Sequence, residues 1–296
     1  MNPVTEETNP RTIDIDRRPT IEIVKLINQE DAAVSAAVSQ VVDRIAEAVD
    51  LIADRLQAGG RLFYVGTGTS GRLGVLDASE IPPTFGVATD LVTGIIAGGY
   101  DALHRAAEGA EDNFEQAEFD LKSHNVSGGD VVVGISASGR TPYTLGAVEY
   151  AKKLGAATIG LTCNPESSIA LAAAVSISPM VGPEVIAGSS RMKAGTAQKM
   201  VLNILSTATM IKLGLVYGNL MSNLRATNEK LKRRACEILS NETGIGAEEA
   251  ANLFKSAEGD LRVALVMARS KLSSDEARKL LETHKGSVRR AIDGLG

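Results

Sequence analysis

Apolar residues early in the chain recur at helical spacing: Ile23, Leu26 and Ile27, then Val38, Val41, Val42, Ile45, Val49, Ile52 and Leu56, before Gly59 and Gly60 stop the pattern. The spacing predicts two helices leading into a sheet. Four apolar runs of strand length follow, Leu62 to Val65, Leu91 to Ile96, Val131 to Ile135 and Thr158 to Leu161, with helical patterns between them. Strands of this kind alternating with helices predict an α/β fold, a doubly wound parallel sheet buried on both faces. Ligands of such sheets sit beyond the carboxyl ends of the strands, so functional residues are expected in the loops just after these runs.

From Ala194 to about Gly214, apolar residues at 197, 201, 204, 205, 208 and 211 predict a long helix with one buried face. Past Arg225 the texture becomes charged and Ala-rich, and a repeat appears at an offset of 27 residues: Glu249, Ala250, Leu253, Gly259, Arg262 and Ala264 recur as Glu276, Ala277, Leu280, Gly286, Arg289 and Ala291. Each copy reads as helix, Gly-containing turn, helix. The expected division is therefore an α/β domain over residues 1–224 and a small all-helical domain over 225–296.

Composition narrows the function. The 296 residues carry a formal charge of −5, with a pI near 5.4, so no global basic field is available to hold nucleic acid. Two cysteines far apart, Cys163 and Cys236, suggest neither a disulfide framework nor a metal knuckle, and a reducing compartment is the natural reading. His104, His124 and His284 lack metal-ligand spacing, and no Ser–His–Asp arrangement can be argued. The N-terminal stretch has no apolar signal core, and no window approaches eighteen uninterrupted apolar residues. A cytoplasmic protein with a small polar or anionic ligand, with no membrane and no nucleic-acid partner, is expected.

The loops are more informative. The first strand runs into Gly66-Thr67-Gly68-Thr69-Ser70-Gly71-Arg72, which formally matches the dinucleotide pattern G-x-G-x-x-G. That pattern needs an acidic residue closing the second strand, and here the strand ends Ile95-Ile96-Ala97-Gly98, with Asp90 at its wrong end. The third strand opens into Ser136-Ala137-Ser138-Gly139-Arg140-Thr141 before Pro142. Hydroxyls and free backbone N–H groups at helix starts suit a phosphate monoester, because the helix dipole and the orphan donors both favour an anion there. Either loop alone also reads as a serine-capped helix start; the two together favour phosphate. A third segment, Gly188 to Thr196, sets small hydroxyl residues with Arg191 and Lys193 before the long helix. Two carboxylates fall near these loops. Glu80 sits where Pro82 and Pro83 are expected to end the helix that starts at the first loop, and Glu111 lies on the helix expected after the second strand. A glutamate on a helix is ordinarily a solvated surface residue, so pattern alone does not single these out.

At these residues the chain resembles the N-acetylmuramic acid 6-phosphate etherases, a family with the sugar-isomerase fold. The likeness runs through Ile27 to Asp31, Gly66 to Gly74, Asp77 to Thr84, Glu108 to Asp112, Ser136 to Tyr143, Gly188 to Lys199 and Ala226 to Lys230. The resemblance implies cleavage of the D-lactyl ether of N-acetylmuramic acid 6-phosphate to N-acetylglucosamine 6-phosphate and D-lactate, without a cofactor, by a homodimer engaged in cell-wall sugar recycling. It assigns Glu80 and Glu111 as catalytic carboxylates through the DASE and EGAED motifs, and Ser70, Ser136, Ser138 and Thr141 to the 6-phosphate. Arg191 and Lys193 follow from GSSRMK as contacts for sugar or phosphate. Taken as acid and base, Glu80 and Glu111 need opposite protonation states, and burial is expected to raise the pKa of Glu80. A phosphosugar isomerase, a non-catalytic regulator like the glucokinase-regulating protein, and a nicotinamide-dependent dehydrogenase are the alternatives.

Overall fold

The computed structural model describes residues 4–107, 109–223 and 229–295. Glu108 and Ala226 to Asn228, from the stretches quoted above, and the expected boundary at 224 and 225 lie outside the described residues. The chain forms two compact units, Met1–Ser79 with Thr89–Ser206 and Glu80–Ala88 with Thr207–Gly296.

Where the periodicity predicts two N-terminal helices there are three: α1 (Thr20–Asp31), α2 (Ala33–Ser39) and α3 (Val42–Gln57). The apolar spacing runs on through Val38, Val41 and Val42, but the backbone does not. Val41 leaves the helical region with φ −119° and ψ 14°, and α3 starts afresh. The α/β core then follows in chain order: β1 (Leu62–Gly66), α4 (Gly68–Phe85), β2 (Val92–Ile96), α5 (Phe114–Ser123), β3 (Val131–Ile135), α6 (Pro142–Lys153), β4 (Ala157–Leu161), α7 (Ser168–Ala172), β5 (Val175–Ile177) and α8 (Lys193–Lys212).

The sheet is parallel throughout, in the order β2-β1-β3-β4-β5. β5 is an addition to the four strands that the sequence predicts: Val175-Ser176-Ile177 is too short to form an apolar run, yet it pairs with Ile159 to Leu161. Gly66 stands opposite both Ile96 and Ile135, and Ile135 opposite Leu161, so four carboxyl ends finish level. Helices cover both faces. Phe63, Val65 and Val132 pack with Leu121 of α5 and with Tyr143 and Ala147 of α6. On the opposite face, Asp77 of α4 accepts hydrogen bonds from Asn203 (2.6 Å) and Ser206 (3.2 Å) of α8. Tyr64 of β1 lies against this carboxylate, and burial first, then the negative charge of Asp77, hold its phenol well above the ordinary value.

Pro82 and Pro83 do not end α4, contrary to expectation; the helix continues to Phe85 with both inside it. Their fixed φ fits a helix, and their missing N–H groups cost only the bonds to the carbonyls of Ala78 and Ser79. The helix closes at Gly86, in the left-handed region at φ 65°, whose N–H donates to the Pro82 carbonyl at 2.9 Å.

The start of α8 is tied down by charge. Glu184, fully buried, accepts from the N–H groups of Lys193 (3.0 Å) and Ala194 (2.9 Å), so a side-chain anion already occupies this helix terminus. The Lys193 ammonium donates to Glu30 of α1 at 2.6 Å, with both side chains more than nine-tenths buried, and Arg11 meets the other oxygen of Glu30 at 2.9 Å. Burial pushes the Glu30 carboxyl up, but Lys193 and Arg11 outweigh it and hold the group below the usual range. In Glu184 burial wins and the carboxyl is raised.

The second unit carries α9 (Glu229–Thr243), α10 (Ala247–Ser256), α11 (Leu261–Ser270), α12 (Ser274–Thr283) and α13 (Val288–Asp293). The repeat extends to the backbone. Glu258 and Gly259 between α10 and α11, like Lys285 and Gly286 between α12 and α13, have positive φ, and each glycine N–H bonds back to the carbonyl of Phe254 or Leu281. Asp260 and Ser287 then cap the second helix of each copy. Ala250, Phe254, Leu261, Leu265, Ala277, Leu281 and Val288 form the shared core.

Replacing Lys193 by Met should leave the buried Glu30 carboxylate with the exposed Arg11 alone and lower stability by about 3 kcal/mol, read from urea unfolding of the first unit. Glu30 has a depressed pKa when folded, so its contribution is present above the unfolded value and fades as pH falls through the folded one. The deficit of Lys193→Met should therefore shrink toward acid pH, and a deficit independent of pH would contradict the assignment of the ion pair.

Candidate active site

The order β2-β1-β3 means that the chain leaves β1 toward one edge of the sheet and returns to β3 on the other side. The crevice between the carboxyl ends of β1 and β3 is the topological switch point, where open α/β sheets bind ligands. A cavity of about 450 Å³ opens there. Thr67 to Ser70 line it from β1, Ser136 to Ser138 with Arg140 to Pro142 from β3, Glu111 and Asp112 from the connection after β2, and Thr5, Glu6, Gly188 and Ser190 from two further loops.

Local sequence explains each wall. The start of α4 is pressed against the sheet: a Cβ on Gly71 would lie 2.6 Å from Cγ1 of Ile96 and 2.7 Å from the carbonyl oxygen of Gly66. This close packing accounts for Gly71, Gly68 has a left-handed backbone at φ 49°, and β2 ends without the acidic residue that a ribose would need. In the second loop Gly139 has φ 68°, and a Cβ there would fall 2.0 Å from Oγ of Ser167.

The hydroxyls converge. Oγ of Ser136 lies 2.9 Å from Oγ1 of Thr141 and 3.4 Å from Oγ of Ser138, and accepts from the N–H of Gly139 at 3.0 Å. Ser138 accepts from the N–H of Arg140 at 3.3 Å. Thr141 precedes Pro142 at the first helical position of α6, and its side chain makes no capping bond. The capped-start alternative thus fails for Thr141, and the first residues of α6 put the positive end of its dipole at the cavity wall. Ser70 donates to Oε1 of buried Gln198 at 3.0 Å, while Nε2 of Gln198 has no hydrogen-bond partner. A half-turn of that amide would let Nε2 donate to Ser70 and free the serine proton for an anion.

Of the residues singled out from sequence, the structure brings Ser70, Ser136, Ser138, Thr141 and Glu111 to one cavity. Glu111 belongs to a 3-10 turn, Ala110–Asp112, rather than to a helix, because Gly109 in the left-handed region and Asn113, the N-cap of α5, bracket it. Glu80 lies in α4, ten residues past Ser70, is exposed, and is not among the lining residues. The expected burial of Glu80 is therefore not met within the chain: α4 continues past the prolines and leaves this position on the outside. Lys193 is committed to Glu30, and from this segment Gly188 and Ser190 line the cavity while neither Arg191 nor Lys193 does; Arg191 is exposed. Sequence reading missed Gln198, Thr5 and Glu6. Gln198 lay within a quoted motif, but nothing local to Thr5 or Glu6 announces a contact with Gly188, which the Thr5 carbonyl makes by accepting its N–H. Among the described residues no group of three His, Cys, Asp or Glu converges as metal ligands.

Known proteins resemble this chain over nearly its whole length. A family profile of the glucokinase regulatory protein N-terminal SIS domain matches residues 44–152, and one of the SIS domain matches 112–208. The N-acetylmuramic acid 6-phosphate etherase of Clostridium beijerinckii is 54% identical over 294 residues, 99% of this chain and 97% of that protein. The one of Vibrio vulnificus is 51% identical over 290 residues, 98% of this chain and 97% of that protein. Among solved structures, a candidate phosphosugar isomerase involved in capsule formation, from Bacteroides fragilis, shares the fold with a TM-score of 0.50 and 22% identity, over 65% of this chain and 91% of that one. Identity above one half, sustained over nearly the whole length, means that this chain belongs to the N-acetylmuramic acid 6-phosphate etherase family.

Proposed function

We propose that this chain removes the D-lactyl group from C3 of N-acetylmuramic acid 6-phosphate, leaving N-acetylglucosamine 6-phosphate and D-lactate. The observation that carries the reading is one cavity holding both a cradle of hydroxyls and helix-terminal N–H groups and the carboxylate of Glu111. The cradle suits a phosphate monoester, the carboxylate suits a proton transfer a few bonds away, and the relatives' names supply the substrate.

An alkyl ether is a poor leaving group, so the adjacent carbon must first be made acidic. Opening of the sugar ring exposes an aldehyde at C1, which acidifies the hydrogen at C2. Glu111 takes that proton, and Glu80 protonates the departing lactyl oxygen as the C3–O bond breaks. Water then adds to C3 of the unsaturated aldehyde. Ser70, Ser136, Ser138 and Thr141 hold the 6-phosphate, and Arg191, beside Ser190 in the wall, supplies a cation for the sugar. Lys193 has no part in this assignment, since its ammonium is occupied.

The active form is a cytoplasmic homodimer. Leu76 on α4 and Ile204 on α8 are 54% and 39% exposed, which supports a second copy covering these helices. Such cover gives Glu80, on the same α4, the low-dielectric surroundings that favour a protonated acid. The chain has no helix long and apolar enough to cross a membrane among the described residues.

In deuterated water, Glu80→Gln should release lactate at least about 100-fold more slowly yet still exchange the C2 hydrogen. Glu111→Gln should lose both reactions. Equal loss of exchange in the two variants would overturn the division of roles. Ser138→Ala should raise KM about 10-fold with turnover within about twofold; an unchanged KM would remove Ser138 from the phosphate cradle.

A further inference from the structure

A smaller cavity of about 220 Å³ adjoins the cradle, and the two share Thr67, Gly68 and Glu111 as lining residues. Its volume is below the roughly 300 Å³ at which pockets begin to take whole ligands, which suits an appendage of a few heavy atoms. Most of the remaining wall is methyl groups, from Ala97, Ala102, Ala106, Ala107 and Ala110. Arg72 is the one cation among its described lining residues. Two positions after Ser70 on α4, Arg72 points away from the cradle, since residues so spaced do not share a helix face. Its guanidinium is fixed but not neutralised by what it holds: Nε donates to the carbonyl of Leu103 at 3.1 Å, and Nη2 to those of Ala102 (2.7 Å) and Arg105 (3.3 Å). These bonds leave the N–H groups of Nη1, and the charge has no carboxylate partner among the described residues.

We infer that this recess receives the lactyl group and that Arg72 reads its carboxylate. The inference rests on the etherase reading and names the specificity element of that site. The substrate brings two anions to one cavity system. The phosphate is met by dipoles, while the carboxylate, carried on C3 next to the carbon that Glu111 deprotonates, would repel Glu111 unless a cation faced it. An immobilised planar guanidinium is the donor best matched to a carboxylate, and the alanine methyls match the methyl of the lactyl unit. Arg72 acts here in substrate recognition, not in proton transfer.

The test compares wild type, Arg72→Lys and Arg72→Met on N-acetylmuramic acid 6-phosphate and on its lactyl carboxamide, with binding of N-acetylglucosamine 6-phosphate as a third readout. On the acid, kcat/KM should fall about 100-fold in the Met variant and somewhat less in the Lys variant. On the amide both should stay within about threefold of wild type, and product binding should not change. Equal loss on acid and amide by folded variants, or no loss on the acid, would overturn the inference while wild-type lactate release keeps the etherase reading. No lactate from wild type would remove both. If the Met variant does not fold, the Lys variant and the wild-type preference for acid over amide decide: a preference near 100-fold that Arg72→Lys erodes supports the subsite, and equal turnover of the two substrates overturns it.

Discussion

β1 and β3 are hydrogen-bonded neighbours in exact step, with Gly66 opposite Ile135, and their connections depart in opposite directions. Two helix starts, those of α4 and α6, are thereby brought side by side at one level beyond the sheet. The chemistry of the first unit depends on this register. Shifting either strand by one residue would turn its buried side chains to the other face and part the hydroxyl loops. Register is held in turn by packing without slack: the apolar face against α5 and α6, the glycines where α4 meets the sheet, and the Tyr64–Asp77–Ser206 contact behind it.

An acidic chain that holds a dianion draws here on oriented dipoles beside the one cation, Arg140, among the described lining residues. The cradle places hydroxyls and amide N–H groups where a phosphate belongs, while Glu6, Glu111 and Asp112 share the same cavity. Cations with strong local partners are spent on the scaffold. Lys193 locks α8 to α1 through Glu30, and Glu184 occupies the N–H groups that open α8. That distinction separates two motifs of similar composition: Ser136 to Thr141 bring their hydroxyls to the cavity, whereas Lys193 and Ala194 present their N–H groups to a buried carboxylate.

Much of this architecture is legible in sequence because parallel strands buried on both faces write themselves as continuous apolar runs, and β3 begins and ends where its run does. The repeat in the second unit is legible for a similar reason, since the left-handed positions at Gly259 and Gly286 restrict the residues that can stand there. What escaped is set by tertiary context. β5 is defined by its partner β4, the break at Val41 by backbone geometry beneath an uninterrupted pattern, and the passage of α4 through Pro82 and Pro83 by a helix end that tolerates two missing donors. The site shows the same limit. Hydroxyl loops after strands announce an anion site, but whether a cation serves ligand or scaffold, as Lys193 and Arg72 differ, depends on partners more than a hundred and about thirty residues away.

The central claim is that the ether is broken by elimination at the sugar and completed by addition of water at C3. Turnover of N-acetylmuramic acid 6-phosphate in water enriched in oxygen-18 tests it most directly, with mass spectrometry of both products. The account predicts label on the C3 hydroxyl of N-acetylglucosamine 6-phosphate and unlabelled lactate; label in the lactate, with none at C3, would place the cleavage on the lactyl side and contradict it.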